Sequence, residues 1–273
     1  MVDKFIGFAL GAALLAAPFA WAGDNVAPSV PQGARDADVA FLGEQHDNPA
    51  HHRLQAAWVA KLSPMAIVFE MLTDEQAGRI TDENRRDAAT LETAVGWEAS
   101  GWPDFDMYYP IFEAAPDAAI LGAAVPRARL RDMMQKELKE VADALDLAAF
   151  ALDAPLPEDE QNAREDLQRA AHCDALPEEM LPFMVNVQRI RDAALAQAAL
   201  GAIKDYGGPV VVITGNGHAR EDWGAPFLLR QVSPDLVVFS LGQGEAGQMP
   251  DGGFGTVVDG PTVDRGDPCD AFK

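Results

Sequence analysis

Side chains that can bind protons or metal ions follow directly after an apolar run at residues 41–47 (FLGEQHD). The apolar part of this run has the composition of a buried strand. A second apolar run, at residues 210–214, ends in residues 215–218 (GNGH), which repeat the Gly-x-x-His spacing of the first run. Ligands of open α/β sheets collect outside the carboxyl ends of the strands, so His46 and His218 are predicted to face one site.

Two carboxylates accompany these histidines. Glu44 lies two residues before His46, and Glu70 follows a third apolar run at residues 66–69. Two imidazoles and two carboxylates are a suitable ligand set for a divalent transition metal such as Mn, Co or Zn. With such a metal, the four side chains would be the catalytic residues of a hydrolase that acts on a peptide, ester or amide. The candidate catalytic and metal-binding residues are Glu44, His46, Glu70 and His218.

The sequence leaves simpler interpretations of these polar residues open. Without a metal, a carboxylate beside an imidazole can serve as an acid–base pair. Each group can also be a satisfied turn or helix cap, and Asp47 and Asn48 have the position of caps directly before Pro49. The remaining histidines are predicted to be solvated helix residues; they are His51, His52 and His172.

The elements that must position these residues alternate between strands and helices. Helices are predicted from Pro49 to about Lys61 and over residues 223–232. This alternation indicates an α/β fold with a mainly parallel sheet flanked by helices. Strands are predicted at residues 38–42, 66–69, 119–124, 210–214 and 236–241, with a further short strand at 256–258.

Residues 129–206 contain no convincing strand. The spacing of Leu, Ala and Met in this segment indicates several helices, with prolines at positions 155, 157 and 177 between them. The segment is most simply a helical cap insertion in one α/β domain that spans residues 23–273.

Residues 1–22 have the pattern of a secretory signal peptide. An apolar stretch at residues 5–18 is followed by an A-x-A cleavage site that ends at Ala22. Cleavage there predicts a periplasmic or secreted protein. Cys173 and Cys269 would then meet an oxidising compartment and are predicted to form a disulfide; the alternative is two unpaired thiols.

The chain is strongly acidic, with a formal net charge of −22 at pH 7. A surface with this charge repels nucleic acid and anionic lipid. The expected partner is therefore a small molecule or a protein, and no nucleic-acid partner is expected.

Aromatic residues recur at helical spacing at Phe105, Tyr108, Tyr109 and Phe112. Their i, i+3, i+4, i+7 pattern is that of any helix face that packs on a core. Tyrosine phenolate is also a ligand of haem iron, and aromatic walls suit a flat macrocycle. The spacing alone favours the core interpretation and leaves the haem interpretation open.

Several segments together resemble the ChaN-type haem-binding domain family, which belongs to a wider superfamily with Tiki metalloproteases and erythromycin esterases. They are residues 41–47 (FLGEQHD), 68–71 (VFEM), 101–111 (GWPDFDMYYPI), 188–196 (QRIRDAALA) and 213–220 (ITGNGHAR). The resemblance covers nearly the whole mature chain and implies an α/β fold with a helical cap. The best-known members are lipoproteins, whereas this sequence has no cysteine at the predicted cleavage site.

The resemblance implies a cell-envelope protein that binds haem in iron uptake, with envelope haem-uptake proteins as partners. In the family, haem is held through a Tyr ligand, often between two protomers. Tyr108 or Tyr109 is therefore expected to ligate the iron, and a homodimer is expected around the haem. The propionates need cationic partners, and Arg suits bidentate pairing with carboxylates. The candidates are Arg127, Arg129, Arg189 and Arg191.

Overall fold

The computed structural model describes residues 28–134, 136, 140, 142, 144–267 and 269–270. The predicted signal peptide at residues 1–22 lies outside the described residues. Among the helices of the described part, none is long and apolar enough to cross a membrane.

Six parallel strands form one sheet. The strands are β1 (Val39–Glu44), β2 (Ala66–Phe69), β3 (Ala119–Gly122), β4 (Val210–Gly215), β5 (Val238–Glu245) and β6 (Thr256–Gly260). Their order is β3-β2-β4-β1-β5-β6, which places β4 and β1 side by side at the centre and β3 at one edge. The predicted parallel sheet is confirmed, and every strand predicted from the sequence is present.

Both faces of the sheet are covered, because every residue of the central strands β1 and β4 is buried. Ala40 and Leu42 of β1 belong to the hydrophobic core on one face. Val39 and Phe41 belong to the core on the opposite face. Parallel strands with two buried faces need continuous apolar runs rather than alternating ones, which explains the sequence pattern.

Helices pack on both sides of this sheet. The described helices are α1 (Gln32–Arg35), α2 (Pro49–Leu62), α3 (Asp74–Ala77), α4 (Ala88–Val95), α5 (Phe105–Ala114), α6 (Arg127–Asp132), α7 (Glu158–Ala171), α8 (Leu181–Tyr206), α9 (Asn216–Ala219) and α10 (Ala225–Val232). Short 3-10 turns lie at Asn84–Arg86, Trp97–Ser100 and Glu178–Met180. α2 and α5 contribute to one core, and α8 and α10 contribute to the other.

Helix α2 begins shortly after Glu44 and His46. Two residues fix its start. Asn48 is the N-cap, and its side chain accepts a hydrogen bond from Ala50 N at 2.9 Å. Pro49 follows at the first helical position. The predicted cap is confirmed for Asn48. Asp47 pairs instead with Arg265, whose Nη2 donates to Asp47 Oδ1 at 2.6 Å.

The described residues of the segment 129–206 form the end of α6, the helices α7 and α8 and intervening turns, and they form no strand. Ala193, Ala196 and Ala199 of α8 share one core with the sheet. A disulfide between Cys173 and Cys269, with an S–S distance of 2.05 Å, ties the end of α7 to the C-terminal tail. The predicted disulfide is therefore confirmed.

Candidate functional site

The four predicted acid–base residues meet at the carboxyl ends of three neighbouring strands. β1 leads to Glu44 and His46, β2 leads to Glu70, and β4 leads to His218. Glu70 contacts both histidines. Its Oε2 lies 3.9 Å from His46 Nε2, and its Oε1 lies 3.5 Å from His218 Nε2. The predicted convergence at one edge of the sheet is confirmed.

Two further residues extend this group into a continuous row. Glu44 Oε1 lies 2.8 Å from His46 Nδ1, and Glu44 Oε2 lies 3.0 Å from His52 Nδ1. At the other end, His218 Nδ1 lies 2.6 Å from Asp192 Oδ1. Three imidazoles therefore alternate with three carboxylates, and we call this group the His–carboxylate row. Its order is His52, Glu44, His46, Glu70, His218 and Asp192.

The prediction that His51 and His52 are solvated is wrong. Their exposed fractions are 1% and 0%, because α2 turns this face towards the sheet. His51 Nδ1 accepts a hydrogen bond from Gln45 N at 2.9 Å, and His52 Nε2 lies 2.9 Å from His46 O. Both rings therefore hold the loop that carries His46.

Asp192 is a second member of the row that sequence analysis did not identify. It is fully buried on α8, where the other buried side chains are those of Ala, Leu, Ile and Val. An isolated acid on such a face is the signal that could have identified it, because a buried carboxylate needs a partner. His172 lies outside the row, at the end of α7, where its Nδ1 is 2.8 Å from Gln168 O.

Glycine is required on β1 and β4 because other groups approach the backbone closely. A Cβ at Gly43 would lie 2.6 Å from Asn216 Oδ1 and 2.7 Å from Leu241 O. A Cβ at Gly215 would lie 2.9 Å from His46 Nε2. The repeated Gly-x-x-His spacing therefore has a steric cause: each glycine makes room for the packing around the row.

Burial and mutual contacts set the protonation of the row. Burial would raise the pKa of Glu44, but hydrogen bonds with His46 and His52 outweigh it and lower the pKa to about 2. Burial would lower the pKa of His46, but Glu70 and Glu44 raise it to about 9. Burial likewise opposes ionisation of His218, whose pKa is nevertheless raised by Glu70. At neutral pH His46 is thus an imidazolium between the carboxylates of Glu44 and Glu70.

The row does not form a metal site. Among the described residues, no group of three or more His, Cys, Asp or Glu side chains is arranged to hold a metal ion. Glu70 Oε2 is already engaged, since it accepts hydrogen bonds from Thr214 Oγ1 at 2.7 Å and from Gly215 N at 2.8 Å. The predicted divalent metal (Mn, Co or Zn) is therefore not supported, and the hydrolase that depended on it is not favoured. Its predicted ligands were Glu44, His46, Glu70 and His218.

The two candidate haem tyrosines have different surroundings. Tyr108 is fully buried, its hydroxyl donates to Glu44 Oε1 at 3.1 Å, and its ring centroid lies 4.2 Å from that of His52. Tyr108 is therefore a core residue that supports the row. Tyr109 is half-buried, and its hydroxyl donates to Arg85 O at 3.4 Å. Tyr109 lines a cavity of about 760 Å³, which we call the Tyr109 cavity.

A smaller cavity of about 290 Å³ opens beside the row, and Trp102, Arg127 and Arg191 are among its lining residues. We call it the Arg127 cavity. Its Trp102 ring centroid lies 4.7 Å from that of His46, so the cavity adjoins the one imidazole of the row that is partly exposed. The other two candidate arginines, Arg129 and Arg189, are not among the lining residues.

Comparison with protein families identifies the group to which this sequence is related. Residues 30–229 match the model of a family described as haem-binding uptake, Tiki superfamily, ChaN. The chain belongs to this family. The resemblance predicted from short segments is thus confirmed. No curated protein matches the chain.

Three solved structures are similar to this chain at low sequence identity. ChaN of Campylobacter jejuni, described with cofacial haem binding, is 18% identical with a TM-score of 0.59, covering 78% of this chain and 83% of that one. The type III effector HopBA1 is 15% identical with a TM-score of 0.46, covering 84% and 90%. A Bacillus cereus protein is 13% identical with a TM-score of 0.34, covering 86% and 73%. The first of these supports the α/β fold.

Proposed function

We propose that this protein binds haem in the cell envelope and takes part in the uptake or handling of haem or iron. Its family membership over residues 30–229 supports this proposal. The Campylobacter jejuni protein of the same fold is described as binding haem. Haem is the proposed small-molecule ligand, and other haem-uptake proteins of the envelope are the proposed partners.

The envelope location rests on two features. Residues 1–22 have the pattern of a signal peptide with cleavage after Ala22. The disulfide between Cys173 and Cys269 suits an oxidising compartment. Intact mass and fractionation of the expressed protein test this location. Recovery of a chain that begins at Met1 from the cytoplasm would contradict it.

A haem site needs an iron ligand, an apolar wall and cations for the propionates. The Tyr109 cavity offers the first two, because the Tyr109 phenol lies there with the apolar side chains of Ile80 and Phe112. The cations predicted from the sequence lie elsewhere, because Arg127 and Arg191 line the Arg127 cavity. One copy of the chain therefore does not bring the phenol and these guanidinium groups into one cavity.

The charge of the Tyr109 cavity also favours placing the propionates outside this cavity. Asp82, Glu113 and Asp117 line it, and they disfavour the two propionates of a haem. Arg85 and Arg86 also line it, and the guanidinium of Arg85 uses its donors on backbone oxygens, among them Ala118 O at 2.6 Å. Three carboxylates thus outnumber the two guanidinium groups of this lining, which favours further cations from outside the cavity for the propionates.

The positions of the two cavities along β3 are the observation that supports a haem site between two copies of the chain. Residues 118–120 line the Tyr109 cavity and residues 123–127 line the Arg127 cavity, so the cavities lie at opposite ends of the edge strand. A two-fold axis beside β3 and perpendicular to it would reverse the strand direction in a second copy. Tyr109 of one copy would then lie near Arg127 of the other. The proposed site is therefore a haem between two copies, with Tyr109 as iron ligand.

Haem titration followed by the visible spectrum and by sedimentation tests this function. We expect haem to bind and to convert monomer to dimer. Tyr109→Phe should abolish the phenolate spectrum, whereas Tyr108→Phe should retain it because that hydroxyl faces Glu44. Failure of the wild type to bind haem would overturn the function, and equal spectra for Tyr109→Phe and wild type would overturn the ligand.

A mixing experiment tests the shared site directly. Tyr109→Phe and the double variant Arg127→Gln/Arg191→Gln should each bind haem weakly alone. In a mixed dimer, one of the two sites combines an intact phenol with intact arginines, so mixing should restore binding at up to half of the sites. If each copy binds haem by itself, mixing will restore nothing.

A further inference from the structure

A third cavity, of about 450 Å³, lies at the carboxyl ends of β1, β4 and β5 beneath helix α7. We call it the amide cavity, because carboxamide side chains dominate its polar lining. Those of Gln45, Gln168, Gln188 and Gln248 come from four separate parts of the chain. Its volume is in the range of small-molecule sites, and its position is where α/β sheets bind ligands.

The cavity adjoins the His–carboxylate row on the side of His218. Gln188 Nε2 lies 3.2 Å from His218 Nδ1. At the bottom of the cavity, the carboxamide of Asn216 is already hydrogen-bonded to the backbone of Gln243. Asn216 Nδ2 donates to Gln243 O at 2.8 Å, and Gln243 N donates to Asn216 Oδ1 at 2.9 Å. These two bonds fix the floor of the cavity and leave its upper amides for another role.

The amides around that floor are unused. Within the described part of the chain, the side chains of Gln45, Gln168 and Gln248 make no hydrogen bond. Each carboxamide carries both donor and acceptor groups. A ligand with several donors and acceptors of its own therefore matches this lining better than an apolar one.

Two carboxylates line the cavity, those of Glu245 and Asp251, and Glu245 is paired with Arg265, whose Nη1 lies 2.6 Å from Glu245 Oε2. Arg164 adds a charged donor to the cavity. Its exposed fraction is 8%, and its Nε and Nη2 both donate to Glu160 Oε1, at 2.9 and 2.5 Å. The third nitrogen, Nη1, is buried without a hydrogen-bond partner. A buried guanidinium nitrogen without a partner is unfavourable, and a carboxylate satisfies it better than any neutral group. Because Nη1 is buried, a carboxylate in the cavity reaches it only when the Arg164 side chain shifts towards the cavity.

The indole of Trp223 in this cavity is already covered by cations. The guanidinium carbon of Arg220 lies 3.7 Å from the ring centroid and that of Arg164 lies 5.0 Å from it. The indole is therefore engaged with arginine and is not an open wall for stacking. This disfavours a haem or a sugar ring in the amide cavity and separates it from the proposed haem site.

We propose that the amide cavity binds a small carboxylate that also carries amide groups, such as an N-acylamino acid or a short peptide. The carboxylate pairs with Arg164, and the ligand amides pair with the glutamine carboxamides. The bound molecule lies beside His218, whose Nδ1 is 3.2 Å from Gln188 Nε2. This ligand is distinct from haem and does not depend on haem binding.

The test uses N-acetylglycylglycine and its C-terminal amide as probes of the oxidised full-length protein. The indole N–H signal of Trp223, assigned with Trp223→Phe, reports binding by NMR. The acid should shift this signal, and the amide should bind about tenfold more weakly because it lacks the charge-assisted hydrogen bond. Arg164→Gln should reduce the affinity for the acid to that for the amide. Arg169→Gln, on the same helix but paired with Glu178 on the surface, is the control and should bind like the wild type.

A second variant keeps the test valid if Arg164→Gln does not fold. Gln168→Glu places a negative charge at the cavity wall and should weaken the acid about tenfold while leaving the amide unchanged. Three results would overturn the proposal: no shift of the Trp223 signal with either probe, equal affinities of acid and amide, or displacement of the bound acid by one equivalent of haem. The last result would make the cavity part of the haem site.

Discussion

His52 Nδ1 lies 3.0 Å from Glu44 Oε2, and neither side chain is exposed to solvent. The second ring nitrogen of His52 lies 2.9 Å from His46 O, so both nitrogens face acceptor oxygens. The other oxygen of Glu44 accepts the Tyr108 hydroxyl and contacts His46 Nδ1. One buried carboxylate at the end of β1 therefore connects α2, α5 and the loop that carries His46.

The first prediction follows from this contact. His52→Ala should lower the free energy of unfolding by about 3–5 kcal/mol, because it leaves a buried carboxylate oxygen without its partner. Urea unfolding at pH 7 measures the effect. His172→Ala, at the end of α7, is the control and should change the free energy by less than about 1 kcal/mol. Similar values for the two variants would show that the pair does not stabilise the fold.

The contact between His52 and Glu44 is a feature of the site that the sequence does not predict. The strands were predictable because both faces of the sheet are buried, and the convergence of Glu44, His46 and His218 followed from parallel strand ends. The partner of Glu44 was not predictable, because it depends on which face α2 turns towards β1. Helical spacing places polar residues on a face but does not state what covers that face.

Tyr108 and Tyr109 show a second limit of prediction from the sequence. Positions i+3 and i+4 share one broad helix face, so the sequence places Tyr108 and Tyr109 together. The structure buries Tyr108 beneath Glu44 and sets Tyr109 at a cavity. Arg127 lies at the far end of β3, so the predicted haem ligands are divided between two cavities. That division depends on the path of α5 across the sheet, which local periodicity does not contain.

The second prediction concerns pH. The pKa of His46 is about 9 in the folded protein, above its ordinary value of 6.5, so protonation of this ring stabilises the fold. This contribution is fully present below pH 6.5 and is lost as the pH rises through 9. Because the ring is partly exposed, we expect the loss to be about 1–2 kcal/mol. Urea unfolding between pH 6 and 10, with an NMR titration of the ring, measures it.

Glu70→Gln is the matched control for this pH dependence. It removes the charge that contributes most to raising the pKa of His46 and nearly preserves the side-chain volume. The pKa of His46 should fall, and the loss of stability between pH 6.5 and 9 should become smaller. An unchanged titration in this variant would exclude Glu70 as the cause.

The third prediction concerns the disulfide. Cys173 and Cys269 close a loop with a sequence separation of 96 residues. In the chain-entropy model, opening a loop of this length lowers the free energy of unfolding by about 4–5 kcal/mol. Cys173→Ser/Cys269→Ser should approach this loss in urea unfolding, and the reduced wild type should match the variant. No difference between oxidised and reduced protein would show that the bond does not restrain the unfolded chain.

The fourth prediction compares two glycines in different surroundings. A Cβ at Gly43 would lie 2.7 Å from Leu241 O, a backbone atom that cannot move away easily. Gly43→Ala should therefore lower the free energy of unfolding by about 1–3 kcal/mol. Gly201 lies inside α8, and a Cβ there would meet no neighbouring atom within 4 Å, so Gly201→Ala should raise the free energy by about 0.5–1 kcal/mol through helix propensity. Thermal and urea unfolding of both variants measure these changes. If both variants change the free energy of unfolding in the same direction, the steric role of Gly43 is contradicted.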